Sequence, residues 1–531
     1  MAYIPLRNIG RGGLVPDQAP YDVELTQFPS GDNVSFQNGV IGKTLGHVDE
    51  GITIPNKPVS IAGYFKSGYN SIIIGTANKL YNYNGTTVRD VTGSSGTYSN
   101  TIRWQTVQMG SGIVFNNGAD TPKYINNVSL SGSGLFSDLA NWPSSVSTKS
   151  IKPYKSFLVL AGYNQGSTAY RTRVRWSDEF SPEGVPASYD PTVTTNLAGF
   201  NELGGENGDL KDQLALGNTN ILYAENGVYA MDFIGAPLVF SFRELFSDQG
   251  IINRGACADF DGKHLVVGTS DIYVHDGNTK RSVADLKVRN EFYKTLNDAN
   301  SVFCHSNPIN SEIWICYADK YATKDASDVS YSPNRCLVYN WTNDAFTFKD
   351  LPNTRDMCQA DILSQGALTG TWADTSLNTN WNTSTAWWSN SSLEDAAAEI
   401  GIFAVNHTEK KLQRMNYTTG FNGYAFGSKI ETTKIDLDTV LGTSNNTIKH
   451  IRGVMPQMKG SGVILITVGV SNTPNDPVNW GYAKAYNIET DNKIDVRLSG
   501  RYLAFKFSSY SSTDSWNISG MDIDVQEVAS R

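Results

Sequence analysis

The chain has 531 residues and a mass of 58.1 kDa, enough for more than one core when domains run to about 100–200 residues. Its 43 Lys and Arg face 52 Asp and Glu, a formal net charge of -9, which is the wrong sign for a surface that grips phosphate and argues against tight nucleic-acid binding. With 48 Gly, 26 Tyr, 22 Phe and 11 Trp but only 18% charged residues, the composition favours many short strands joined by tight turns over helices.

No apolar run approaches the roughly 18 residues of a membrane helix, and the start MAYIPLRNIGRGG has neither the basic nor the apolar region of a secretory signal. A product kept in, or packaged from, a cytoplasm is expected. Cys257, Cys304, Cys316, Cys336 and Cys358 form no CxxC pair, so they read as reduced core residues, without zinc or redox roles. The sequons at Asn340, Asn406 and Asn416 fit chance in an Asn- and Thr-rich chain.

Residues 1–60 read as an N-terminal arm and first strands. Gly10, Gly12 and Gly13 precede no helical pattern, so they suit a flexible arm better than a phosphate cradle, which needs a helix N-terminus behind it. From 61 to 365 a weak repeat dominates. IIIGTANKLYNYNGT begins at Ile72 and LVVGTSDIYVHDGNT at Leu265; both read strand, turn, strand, turn, with Asn-Gly or Asp-Gly at the second turn. Counting related hairpins from Ile72, Ile113, Phe157, Ile221, Leu265 and Ile313 gives steps of about 40–50 residues, the period of four-stranded propeller blades. An all-β fold with a β-propeller of about six blades is expected; unrelated hairpins in a sandwich or in several small β domains also suit the spacing.

Residues 366–400 turn polar and carry Trp372, Trp381, Trp387 and Trp388, an insertion or loop tip. Its indoles suit stacking on a glycan or a protein partner, or pinning the loop to its own domain. Between 401 and 531 the alternation at Val496 and Leu498, and at Leu503, Phe505 and Phe507, marks half-buried antiparallel strands. A C-terminal β-sandwich or platform is expected, with the N-terminal arm as a possible contributor.

The motifs of common catalysts do not occur: GxSxG, HExxH and GxxxxGK[ST] are all missing. His47, His264, His275, His305, His407 and His450 show no short spacing that aims two at a metal, and read as strand or turn residues. Asp178, Glu179, Asp259, Asp261 and Asp361 sit near strand ends, where a glycosidase places an acid and a base, but also where turns collect Asp for backbone hydrogen bonds. The FSDQG segment from Phe246 to Gly250 is one residue short of a sialidase Asp box. Arg171, Arg173 and Arg175 alternate with Thr172, Val174 and Trp176, so on a strand all three share one face. That stripe suits a phosphate backbone or an acidic neighbouring subunit, and the second matches an acidic homo-oligomer better.

The segment IPLRNIGRGGLVPDQAPYDVELTQFPSGDNVSFQNGVIGKTLGH, from Ile4 to His47, resembles the start of the tail tubular protein B, or nozzle, family of short-tailed bacteriophages. Its pattern appears at Asn33, Val34, Phe36, Gly39, Ile41, Lys43 and Gly46. Glu431 to Lys434, Ser499 to Leu503 and Trp516 to Gly520 are similar to the far end of that family, so the resemblance brackets nearly the whole chain. It implies a structural virion protein of the short tail, made in the bacterial cytoplasm; with the missing motifs, no enzymatic activity, cofactor or metal is expected. Copies would form a ring, about six-fold, below the tail adaptor ring and beside the tail fibres. Double-stranded DNA would pass its channel without sequence-specific binding. A propeller that binds or degrades host surface polysaccharide is the alternative.

Overall fold

The structure, a computed structural model, describes residues 2–66, 69–126, 134–181, 184–324, 326, 328–361, 400–438 and 447–529. It is nearly all β, with one seven-residue α-helix, Arg289–Thr295, among the described residues. No helix of those residues is long and apolar enough to cross a membrane.

Local chemistry explains the repeated hairpins. In the first copy, Tyr69–Thr76 pairs with Leu80–Tyr83, and Asn84 Oδ1 accepts the N–H groups of Thr86 and Thr87 at 3.1 and 2.9 Å around Gly85 at φ 94°. In the second, Lys263–Val267 pairs with Ile272–His275, and Asp276 Oδ1 accepts from Asn278 and Thr279 at 2.9 and 2.7 Å around Gly277 at φ 87°. An Asx side chain folded onto the backbone, followed by a glycine free to take positive φ, makes the same turn from two sequences. Those bonds hold the exposed Asp276 carboxyl at about 2.

Among the described residues, seven sheets of four antiparallel strands follow one another along the chain, one more than the hairpin count expects. Six are contiguous, within 58–90, 105–138, 146–202, 210–246, 257–282 and 296–350. The seventh takes Thr354–Asp361, Ile400–Asn406 and Lys411–Met415, then closes on a strand from the other end of the chain, His47–Thr53, with Met415 opposite His47. Strand residues between 401 and 415, expected in the C-terminal unit, therefore belong to this sheet, as does the end of the 1–60 arm. Phe403, Ala404 and Val405 are all buried, and an apolar run covered on both faces carries no sign of which strand it pairs with.

The first strands of the seven sheets, Pro58–Lys66, Gln105–Met109, Val146–Tyr154, Leu210–Leu216, Cys257–Phe260, Leu296–Asn307 and Thr354–Asp361, neighbour each other in order, and the last returns to the first. Apolar clusters fill the gaps between successive sheets. Tyr64, Trp104 and Phe115 sit between the first and second, Phe157, Trp176 and Phe240 between the third and fourth, and Tyr83, Phe403 and Leu412 between the seventh and first. Each such buried side chain contributes about 1.5–3 kcal/mol, so the ring is held chiefly by sheet-to-sheet packing.

Among the described residues the remaining strands form one short parallel pair, Gly13–Leu14 with Gln27–Phe28, and two six-stranded sheets. One contains Ile448–Ser461 and Ser515–Ala529 with the N-terminal strands Ala2–Arg7, Val34–Gln37 and Val40–Lys43; the other contains Val463–Ser471, Tyr502–Ser511 and Phe426–Glu431 with Ser30–Asp32. Their inner faces, including Ile451, Val454, Ile466, Phe505 and Phe507, share one apolar core that continues into the fifth and sixth sheets of the ring.

Candidate functional site

The residues that carry the N-terminal pattern form the joint between the ring and the C-terminal sheets. Asn33, at φ 55°, donates through Nδ2 to Asp350 Oδ2 and to the Gly427 carbonyl, both at 2.8 Å, and accepts the Asp350 N–H through Oδ1. Its left-handed backbone is one that Asn tolerates better than most residues. The carbonyl of Val34 accepts Thr347 Oγ1 at 2.6 Å, and that of Phe36 accepts Asn340 and Asn343 at 3.2 and 3.3 Å. Gly39 turns the hairpin at φ 75°, and Ile41 is fully buried. Lys43 donates to the Ser511 carbonyl at 2.7 Å and lies 4.4 Å from the Phe426 ring centre, while a Cβ on Gly46 would collide with the Gly420 carbonyl. Beside the joint lies a polar hollow of about 480 Å³ lined by Asn8, Arg11, Gln37, Asn38, Asn340 and Asn343.

The axis encircled by the seven first strands holds a second cavity, of about 330 Å³. At about 30 Å³ per water it has room for some ten waters, far too little for a DNA duplex. Five charged side chains line it: Arg103, Lys152 and Arg254 against Asp212 and Asp356. Arg103 Nη2 donates to Asp356 Oδ1 at 2.8 Å, and the Ile61 N–H reaches Asp356 Oδ2 at 3.2 Å. Asp212 accepts Ser150 Oγ at 3.2 Å and the Gln213 and Gly255 N–H groups at 2.9 and 2.8 Å. Burial raises the Asp356 pKa against the pull of Arg103. Burial lowers that of Arg254 to about 10, and the like charge of Arg103 adds to the effect. Cys257, Cys304 and Cys358 lie on three of the same first strands, and burial pushes their thiols up, away from thiolate reactivity.

Between the fourth and fifth sheets a buried chain links Tyr223, His264 and His275. Hairpin register sets His264 opposite His275, with ring centres 5.4 Å apart, and the Tyr223 hydroxyl lies 2.7 Å from His264 Nδ1 and from His275 Nε2. The outer partners assign the protons. His264 Nε2 faces the Ala215 carbonyl at 3.0 Å, so it carries hydrogen and Nδ1 accepts; His275 Nδ1 receives the Gly277 N–H at 3.3 Å, so Nε2 carries hydrogen. Thus His275 donates to the Tyr223 oxygen, and Tyr223 donates to His264, with both rings neutral. Burial, foremost, lowers their pKa values to about 4 for His264 and about 3 for His275. Spacing along the chain hid this pair, although a hairpin turning at residues 268–271 places 264 against 275.

The other expected residues scatter. Arg171 pairs with Asp209 at 3.1 Å, Arg173 with Glu202 at 2.6 Å, and Arg175 is buried with two N–H groups on the Tyr189 carbonyl. Each arginine of the stripe thus has a partner within the chain. Asp178 Oδ1 accepts the Leu197 N–H and Asp361 Oδ2 accepts Asn70, while Asp261 turns a hairpin at φ 44°; all three serve local structure. Asp259 and His305 line a further hollow of about 290 Å³ beside the axis. His47 is buried against Phe421, His407 meets the Pro58 carbonyl and Asp328, and His450 meets Ser499. Among the described residues no three His, Cys, Asp or Glu side chains are grouped to hold a metal. Trp372, Trp381, Trp387 and Trp388 lie outside the described residues. No protein-family model matches the chain, and the curated proteins contain no match.

Proposed function

We propose that the chain is a structural subunit of a short phage tail, a seven-bladed β-propeller joined to a two-sheet platform, which assembles side by side with its copies into a nozzle ring. The observation that carries the reading is the joint. The pattern at Asn33, Val34, Phe36, Lys43 and Gly46 belongs to residues that lock the N-terminal arm between the ring and the C-terminal sheets. A sequence pattern tied to that architecture is expected to travel with the architecture, and so with a subunit whose shape is its function.

The ring of sheets within one chain is not the DNA conduit on this reading. Its axis carries the Arg103–Asp356 pair and a cavity of only about 330 Å³, so the duplex passes between subunits, around an axis the copies share. A net charge of -9 suits a lining that a polyanion slides along without being gripped. The adaptor ring above and the tail fibres outside are the partners proposed for the platform and the outer face.

Cryo-electron microscopy of the tailed particle tests this. The expected result is a ring of copies, about six, at the distal end of the tail around an open channel. A peripheral or three-fold position refutes it.

A further inference from the structure

The axial cavity is richer in donors than its own carboxylates use. Asp212 is engaged by Ser150, Gln213 and Gly255, and Asp356 by Arg103 and Ile61. On the cationic side, Lys152 Nζ has no hydrogen bond among the described residues and stands 3.9 Å from Asp212. Arg254 spends Nη1 and Nη2 on the Lys149 and Arg103 carbonyls, at 2.6 and 2.7 Å, which brings it beside Arg103. Gln105 is 7% exposed; its Oε1 accepts the Ile151 N–H at 2.7 Å, but its Nε2 is buried without a partner. A buried amide donor left unmade is unfavourable, and three cations around two carboxylates leave a formal charge of +1.

We propose that this cavity binds a small oxoanion of the phosphate or carboxylate class, with Lys152 and the two arginines supplying charge and Gln105 a neutral donor. The cavity is reachable: the side chains of Arg103 and Lys152 keep 22% and 25% of their exposure. Gly255, at φ 81°, lets Arg103 pack against the backbone there, since a Cβ would stand 2.8 Å from Arg103 Nη1. An anion bridging the arginines relieves the repulsion that burial imposes on them, and charge-assisted hydrogen bonds in a partly dewatered cavity are stronger than neutral ones. Bound there, it would tie together first strands from several sheets. The site stands apart from the ring proposal and holds whether or not the copies assemble.

Isothermal titration of the full chain with inorganic phosphate at low salt, pH 7.5, tests it. Saturable one-site binding is expected, at least tenfold weaker in Lys152→Met and preserved in Lys152→Arg. Gln105→Glu keeps the acceptor for Ile151 and adds a negative charge, so it too is expected to bind at least tenfold more weakly; unchanged urea midpoints verify folding. Displacement of phosphate by acetate identifies a carboxylate site, and indifference to acetate identifies a phosphate site. Absence of saturable binding to the wild type, or equal affinity in the wild type and in whichever of Lys152→Met and Gln105→Glu folds, overturns the proposal.

Discussion

Replacing Tyr223 by Phe removes one oxygen and keeps the ring, and the structure assigns what that oxygen does. It accepts the Nε2–H of His275 and donates to Nδ1 of His264, both at 2.7 Å, in residues 0–1% exposed. Its loss orphans a buried donor and a buried acceptor at once, each costing about 1–3 kcal/mol, so Tyr223→Phe is expected to lose about 2–6 kcal/mol. Urea unfolding followed by tryptophan fluorescence measures this as a lower midpoint at unchanged slope. A loss below about 0.5 kcal/mol, the usual range for a surface substitution, would refute the claim that the hydroxyl bridges the two buried rings.

Three further outcomes follow from the same physics. Burial lowers His47, His264 and His305 to about 4 and His275 to about 3, whereas the unfolded chain binds these protons near pH 6.5; stability is therefore complete above pH 6.5 and lost as pH falls toward the folded values. At pH 5 each histidine removes about 2 kcal/mol, and thermal midpoints measured from pH 7.5 to 5 should drop steeply below 6.5; a flat profile contradicts the burial argument. Lys449→Met removes the buried ammonium 2.8 Å from the Asp438 carboxylate and 2.9 Å from Asp436, with an expected cost of about 3–5 kcal/mol, read by urea denaturation. Gly75→Ala sets a methyl 2.7 Å from Trp104 Cδ1, between sheets whose packing closes the ring; about 1–3 kcal/mol of overpacking is expected, with a shift in tryptophan emission as its signature.

What the sequence determined alone is local. The hairpins after Ile72 and Leu265 are legible because alternation and the Asn-Gly and Asp-Gly turns act over a few residues, and Asn84 and Asp276 bond N–H groups only two and three positions away. The mixing of N-terminal strands with C-terminal ones is barely legible in the sequence, since backbone pairing leaves no mark on composition. Tertiary structure alone decided that His47–Thr53 completes the sheet of Lys411–Met415, that a seventh sheet exists, and that Tyr223 stands between His264 and His275. It also gathered Arg103, Lys152, Asp212, Arg254 and Asp356 at one axis, although Arg103 and Asp356 are 253 residues apart. The physical reason is range: turn chemistry and strand alternation are settled by neighbours in the chain, whereas ring closure follows from apolar faces packing sheet against sheet, and that packing selects partners by fit regardless of their separation in sequence.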